Sequence, residues 1–325
     1  MTHDLPFALA EDRRGFPFFL APVAGYSDAA YRALCYEHGA SLCYTEMVSA
    51  EALVRHHPKT RELLQRDPAE TVYAIQLFGS NPDVLARAVE IVAALHPVVI
   101  DLNCGCPVSK IVKSGAGSAL LKEPRRIGEI VRAMRSASSV PVSVKIRKGW
   151  DAGSENYLEV AAIAIDAGAC AITLHGRTRA QGYAGTADWD AISKLVQYSS
   201  VPVFGSGDVF SPQQAIAMRE KTGCAGVMVA RGAMGNPFIF EQIRSLLQGT
   251  IPPHPTPAKI AEAARQHLQL AITYLGEHTA CIEFRKHFCA YTKGHPGGAT
   301  LRAKAVASST FAEFEALLYQ FARHA

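Results

Sequence analysis

The chain has eight cysteines (35, 43, 104, 106, 170, 224, 281 and 289) but no C-x-x-C pair and no evenly spaced cysteine framework. That pattern excludes a disulfide scaffold and reads as reduced thiols in a cytoplasmic protein. Residues 1–7 lack the charged-then-apolar pattern of a secretory signal. No run of eighteen apolar residues occurs, and the longest apolar stretch, 160–174, is interrupted by Asp166. A helical membrane span is thereby excluded. No G-x-G-x-x-G follows a strand-like run, so a dinucleotide seated on a Rossmann domain is not expected. Charge of one sign is also scarce: 33 Lys and Arg against 29 Asp and Glu leave a net +4, which suits a polyanionic partner without requiring one.

What is present is core-forming material. At 325 residues and 49% hydrophobic, the chain can fill one large domain and a small one. β-Branched, strand-like runs at 16–24, 41–47, 71–78, 97–103, 140–147, 170–175, 201–204 and 225–229 alternate with helical patterns at 28–38, 82–95, 126–136, 157–167 and 211–220. Asn81 before Pro82 and Ser211 before Pro212 read as helix caps. Eight strands alternating with helices over about 230 residues predict a (β/α)8 TIM barrel over 1–248 rather than a doubly wound sheet. The Pro-dense stretch 249–257 predicts a linker, and 258–325 shows helical periodicity alone, as expected of an all-helical bundle domain.

On such a barrel the carboxyl ends of the strands converge on one site, and here those ends are polar. The fourth run closes on Asp101-Leu102-Asn103-Cys104-Gly105-Cys106-Pro107, exposing a carboxylate, an amide and thiols in a Gly-bearing loop. The two cysteines can be read as small packing residues or as an active-site mouth. Gln76 ends the third run, Lys145 and Arg147 lie in the fifth, and His175-Gly176-Arg177 ends the sixth. After the seventh and eighth come Gly205-Ser206-Gly207-Asp208 and Ala230-Arg231-Gly232, where barrels build phosphate cradles from backbone N–H groups; Arg231 adds charge there.

These pieces together resemble the tRNA-dihydrouridine synthases, in the bacterial FMN-dependent branch. The resemblance is carried by Leu20-Ala21-Pro22-Val23-Ala24-Gly25-Tyr26-Ser27-Asp28, Tyr44-Thr45-Glu46-Met47, Gln76-Leu77-Phe78-Gly79, Asp101 through Pro107, and Lys113 through Leu121. It continues through His175-Gly176-Arg177-Thr178-Arg179 with Gln181 and Tyr183, Arg231-Gly232-Ala233-Met234-Gly235-Asn236-Pro237 and Arg285-Lys286-His287, spanning nearly the whole chain. It implies FMN at the mouth, with Pro22, Val23 and Ala24 beside the ring, Gln76, Lys145 and His175 at its polar edge, and Ser206, Gly207, Asp208, Ala230 and Arg231 at its phosphate. Asn103, Arg177, Gln181 and Tyr183 are then substrate-facing, the helical domain recognises tRNA, and NADPH is the reductant.

Reduction of the uracil C5=C6 bond needs a hydride at C6 and a proton at C5. The family places the acid in Gly-Cys-Pro, which selects Cys106 over Cys104. Two residues depart from the usual pattern, Ser206 for an Asn and Ala230 for a Gly. Both are small, so backbone donation to a phosphate survives. A barrel flavin oxidoreductase acting on a small dihydroorotate-like or ene substrate is the alternative, as is an RNA-binding protein on a non-catalytic barrel. Neither a metal nor a membrane partner is expected, and the oligomeric state stays open, with a monomer as the default.

Overall fold

The computed structural model describes residues 5–7, 15–252 and 254–324. Residues 1–4 and Pro253, part of the signal-peptide and linker readings, lie outside the described residues. Eight parallel strands close into a barrel in sequence order: β1 (Phe18–Leu20), β2 (Leu42–Ser49), β3 (Ala74–Phe78), β4 (Val99–Cys104), β5 (Val142–Arg147), β6 (Ala171–His175), β7 (Val203–Ser206) and β8 (Gly226–Val229). The seam is made by β8 against β1, with Phe18 opposite Val227 and Leu20 opposite Val229. This is the (β/α)8 TIM barrel expected from the alternation.

Strand periodicity sorts the side chains. Phe19, Tyr44, Ala74, Val99, Ala171, Phe204 and Met228 point inward and plug the barrel, with the Phe19 and Phe204 rings edge-to-face at 4.9 Å. The outward set, such as Leu20, Ile75, Ile100, Val144, Ile172 and Val227, packs under the helices in a second, larger cluster. The helices start where the sequence says: Asn81 Oδ1 accepts from the amides of Asp83 and Val84, and Ser211 Oγ from Gln214, each ahead of a proline.

Most strand ends shift by a few residues from their expected limits, and two of these shifts bear on the site. β1 stops at Leu20, because Pro22 has no N–H to offer the ladder and the chain turns at Gly25, whose φ is +75°. The seventh strand runs two residues further than its apolar run, since Ser206 pairs with both His175 and Met228. Ser206 is therefore held by the sheet rather than by a loop.

Beyond the barrel come four helices, Pro257–Leu275, Glu277–Tyr291, Gly298–Ala305 and Phe311–His324. The first is capped by Thr256, with Pro257 in its first turn. This region packs on the first barrel helix, Ala29–Glu37: Gln266 bonds Glu37 at 2.8 Å, and His267 and His287 reach Asp28. Alongside, Arg32 and Glu70 form a fully buried pair with two N–H···O contacts of 3.1 Å. Removing one partner of such a pair strands the other charge in a medium that cannot solvate it. Arg32→Leu should therefore lower unfolding free energy in urea by about 3–5 kcal/mol. A loss within experimental error would show that Glu70 is solvated or neutral in the native state.

Candidate active site at the barrel mouth

A cavity of about 350 Å³ opens at the carboxyl end of the barrel, within the range that holds small-molecule cofactors. One wall is Ala21 through Ala24 with Met47 and Met228, another is Asn103 with Gly105 through Val108, and a third is Lys145, Arg147 and His175. The far end is Ser206 through Phe210 with Ala230 and Arg231, and Tyr183 stands at the rim. Of the residues singled out from sequence, Pro22, Val23, Ala24, Asn103, Cys106, Lys145, His175, Tyr183, Ser206, Gly207, Asp208, Ala230 and Arg231 are brought together here.

Gln76, Arg177 and Gln181 do not line the cavity. Gln76 is buried beneath it, donating to Asp101 at 2.7 Å and accepting from Asn103 at 2.7 Å. Arg177 is buried and spends its guanidinium on both carboxylate oxygens of Asp208, each at 2.7 Å, and on the carbonyls of Ala184 and Gly185. Gln181 caps a turn by accepting from the Thr178 amide. All three act on neighbours that do face the cavity. Conversely, Phe210 and Met47 line it without having been expected to, and Arg147, expected at the mouth, lines it without having been assigned a role. For Arg147 a signal existed, since alternation along β5 puts Lys145 and Arg147 on one face; Phe210 is a loop aromatic with no pattern around it.

The two cysteines separate cleanly. Cys104, the last residue of β4, is fully buried in the outer core, whereas Cys106 is half-buried and faces the cavity. Asn103 Oδ1 accepts from the amides of Gly105 (3.1 Å) and Cys106 (2.9 Å), while the Cys106 carbonyl accepts from Ser118 through both its amide and its hydroxyl. Gly117 makes that closure possible: its φ is +60°, and a Cβ there would sit 2.9 Å from the Cys106 carbonyl oxygen. Arg147 completes the clamp, donating to the Gly105, Thr178 and Gly182 carbonyls at 2.8–2.9 Å.

The electrostatics divide the cavity. Burial pushes the Cys106 thiol above its ordinary value, with the Val108 N–H and the Arg147 guanidinium pulling the other way, so it stays protonated at neutral pH. Burial and the charges of Lys145, Arg147, Arg177 and Arg231 hold His175 well below the usual histidine range, so it is a neutral imidazole. Burial raises Asp101, in the layer beneath, to about 6, and burial with Arg147 lowers Lys145, at the cavity wall, to about 8. At the far end the amides of Gly207, Asp208, Ala230 and Arg231 have no acceptor among the described residues. Gly207, φ +117°, leaves room there only because it lacks a Cβ, which would meet Ala187 at 2.7 Å and His175 at 2.8 Å. Unpaired amides beside a guanidinium form an anion seat.

Fold and site together define a (β/α)8 barrel enzyme with one cavity-facing thiol at one wall and Arg231 at the far end. The chain matches the family model described as dihydrouridine synthase over residues 19–325. It is 50% identical over 311 residues to a probable tRNA-dihydrouridine synthase of Treponema pallidum, covering 92% of this chain and 91% of that one. A probable tRNA-dihydrouridine synthase 1 of Synechocystis is 41% identical (92% and 84% covered), and a tRNA-dihydrouridine synthase B of Pseudomonas putida is 38% identical (88% and 85%). Among solved structures, histamine dehydrogenase from Rhizobium sp. 4-9 is similar in fold, with a TM-score of 0.54, 14% identity, and coverage of 82% of this chain and 51% of that one. The chain belongs to the dihydrouridine synthase family, whose members are flavin-dependent oxidoreductases.

The two thiols give an immediate chemical test. Iodoacetamide followed by peptide mass mapping should mark Cys106 and spare Cys104 in the native protein. Because only the thiolate reacts, labelling of Cys106 should be slow near neutrality and rise through pH 9.0, its ordinary value, and beyond. Fast labelling near neutrality, or equal labelling of Cys104, would contradict the geometry.

Proposed function

We propose that this protein reduces the C5=C6 bond of a D-loop uridine in tRNA to 5,6-dihydrouridine, with FMN as cofactor, NADPH as reductant and Cys106 as the acid. Cys106 carries this reading: it is a protonated thiol fixed by Asn103, Ser118 and Gly117 at the wall of a cavity whose opposite end accepts an anion. The names of the relatives support the substrate, and the cavity's own features fit FMN. The unpaired amides at 207–208 and 230–231, beside Arg231, suit its phosphate, and Ser206 and Ala230 both keep those amides accessible. The apolar wall Pro22, Val23 and Ala24 suits a flat ring, and Lys145 with His175 suits its polar edge.

When bound and reduced by NADPH, FMN supplies the hydride that adds at C6 of uracil. The chain's own residues do the rest. Cys106 gives its proton to C5 as the ring accepts charge, and the thiolate left behind is neutralised from solvent, with Arg147 nearby to offset its charge meanwhile. Asn103 lines the cavity, with its oxygen holding the Cys106 loop and its amide nitrogen donating to Gln76, so it positions the acid from beside the base. Arg177 and Gln181 act as positioning residues, bracing the Asp208 and Thr178 segments, and Tyr183 offers the exposed ring on which a splayed-out base can stack.

Phosphate contacts fall to exposed basic side chains that are not already committed. Arg285 is tied to the Ser308 carbonyl and Lys286 to Glu283, so the helical region's basic motif is partly structural. Lys110 and Lys113, on the short helix Ser109–Lys113 directly after the Cys106 loop, are exposed and pair with no carboxylate among the described residues. The helical region 258–325 is the second contact surface for tRNA, and a tRNA substrate places the enzyme in the cytoplasm. No helix among the described residues is long and apolar enough to cross a membrane.

Anaerobic stopped-flow of the two half-reactions tests the chemistry. Cys106→Ala should leave NADPH reduction of the bound flavin nearly intact and slow its reoxidation by unmodified tRNA about two to four orders of magnitude. Cys104→Ala should change neither rate much, costing stability alone. Reoxidation surviving in Cys106→Ala would move the acid elsewhere, and reoxidation by free enones but not by tRNA would favour the small-molecule alternative. Binding of tRNA should fall steeply with salt, and Lys110→Glu with Lys113→Glu should weaken it and flatten the salt slope. A slope unchanged by that double variant would remove the helix from the interface.

A further inference from the structure

Three side chains distant in sequence meet where the helical region packs on the barrel. Asp28 precedes the helix Ala29–Glu37, His267 lies on Pro257–Leu275 and His287 on Glu277–Tyr291. One ligand-type atom from each lies within 4.8 Å of the others. Asp28 Oδ2 is 3.1 Å from His287 Nε2, and Asp28 Oδ1 is 3.7 Å from His267 Nε2. Both imidazoles are 97% or more buried, 1% and 3% exposed, while the Asp28 side chain is 31% exposed.

The second observation concerns His287 alone. Its Nδ1 has no hydrogen-bond partner, and its Nε2 has only the Asp28 carboxylate, 3.1 Å away and off the line of an N–H donor. A buried polar ring left unpaired costs free energy, and native proteins satisfy such groups with protein, water or an ion. Its surroundings on the other sides are aromatic: Tyr26, Tyr31 and Phe284 rings lie 5.1–6.2 Å away by centroid.

Two imidazoles and one carboxylate are a ligand set of zinc and related first-row divalent cations, which can complete their coordination with water. Outer-shell support is also in place. His267 Nδ1 faces the Tyr291 hydroxyl at 3.3 Å, which orients the ring, and Asp28 Oδ1 accepts from the Tyr31 amide, leaving Oδ2 for an ion.

We propose that Asp28, His267 and His287 bind one first-row divalent cation, zinc by ligand class, that pins the helical region to the segment following β1. That segment, 21–28, begins with Ala21, Pro22, Val23 and Ala24 at the cavity wall. The ion thus sets the position of one wall of the active site relative to the region proposed to hold tRNA. It is structural and takes no part in the reduction.

The test uses the purified full chain with zinc, and with cobalt(II) as a spectroscopic probe. Titration calorimetry should show one equivalent bound, and the cobalt spectrum should be that of nitrogen and oxygen ligands without thiolate charge-transfer bands. His287→Gln and Asp28→Asn should each lose that equivalent. Asn is as good a helix cap as Asp, so circular dichroism of Asp28→Asn should be unchanged and keep the result interpretable. No stoichiometric binding to the parent chain, binding retained in both variants, or thiolate bands placing the metal on cysteines would each overturn the proposal.

Discussion

The site hangs on one buried hydrogen-bond chain across the top of the barrel. Ser143 donates to Asp101 at 2.6 Å, Gln76 donates to Asp101 and accepts from Asn103, and Asn103 holds the amides of Gly105 and Cys106. These residues sit side by side because the parallel register puts Gln76 opposite Asp101, Asp101 opposite Ser143, and Asn103 opposite Lys145. Each link is satisfied at both ends, which is the condition under which a buried polar network rigidifies a core instead of weakening it. Breaking one link leaves a desolvated partner, at a cost of about 1–3 kcal/mol. The position of the reactive thiol is therefore a property of the sheet, transmitted through side chains, rather than of a free loop.

Above that layer the cavity is electrostatically asymmetric. Arg147, Lys145 and Arg231 bring positive charge; burial first, and that charge second, keep His175 neutral, and Asp208 is held ionised by Arg177 and Arg231. Asp208 neutralises part of that charge, which leaves the unpaired amides and the residual field of Arg231 for an anionic group. Cys106 lies at the opposite wall, where burial outweighs the pull of Arg147 and keeps the proton on sulfur. The protonated thiol is thus separated from the basic groups at the far end, as the proposed role of an acid requires. The rim adds an exposed stack, the Arg231 guanidinium lying 4.4 Å from the Tyr183 ring and 5.0 Å from Phe210.

Much of this was legible before any coordinates. Strand alternation and length specify the barrel, and the polar residues at strand ends specify its mouth; the two thiols are told apart by the Gly-Cys-Pro resemblance, while their separation in space comes from Cys104 ending β4 and Cys106 sitting in the loop that Asn103 and Ser118 hold. What sequence could not carry is which polar residue faces a ligand and which braces one that does. Gln76 and Arg177 have the side chains of binding residues, and only the positions of Asp101 and Asp208 in space show where their donors go. Ser206 looked like a loop residue because its neighbours are glycines, and cross-strand pairing with His175 and Met228 overrides that local signal. The meeting of Asp28 with His267 and His287 depends on how the helical region docks, for which no local pattern codes.

The most direct measurement of the central claim is an experimental structure of the flavin-loaded protein with unmodified tRNA bound. The account predicts the target uracil inside the cavity, with its C5 facing Cys106 Sγ at proton-transfer reach and Asn103 against its polar edge. A uracil seated with C5 facing a different side chain, or a base that never enters the cavity while Cys106 stays in its present position, would contradict it.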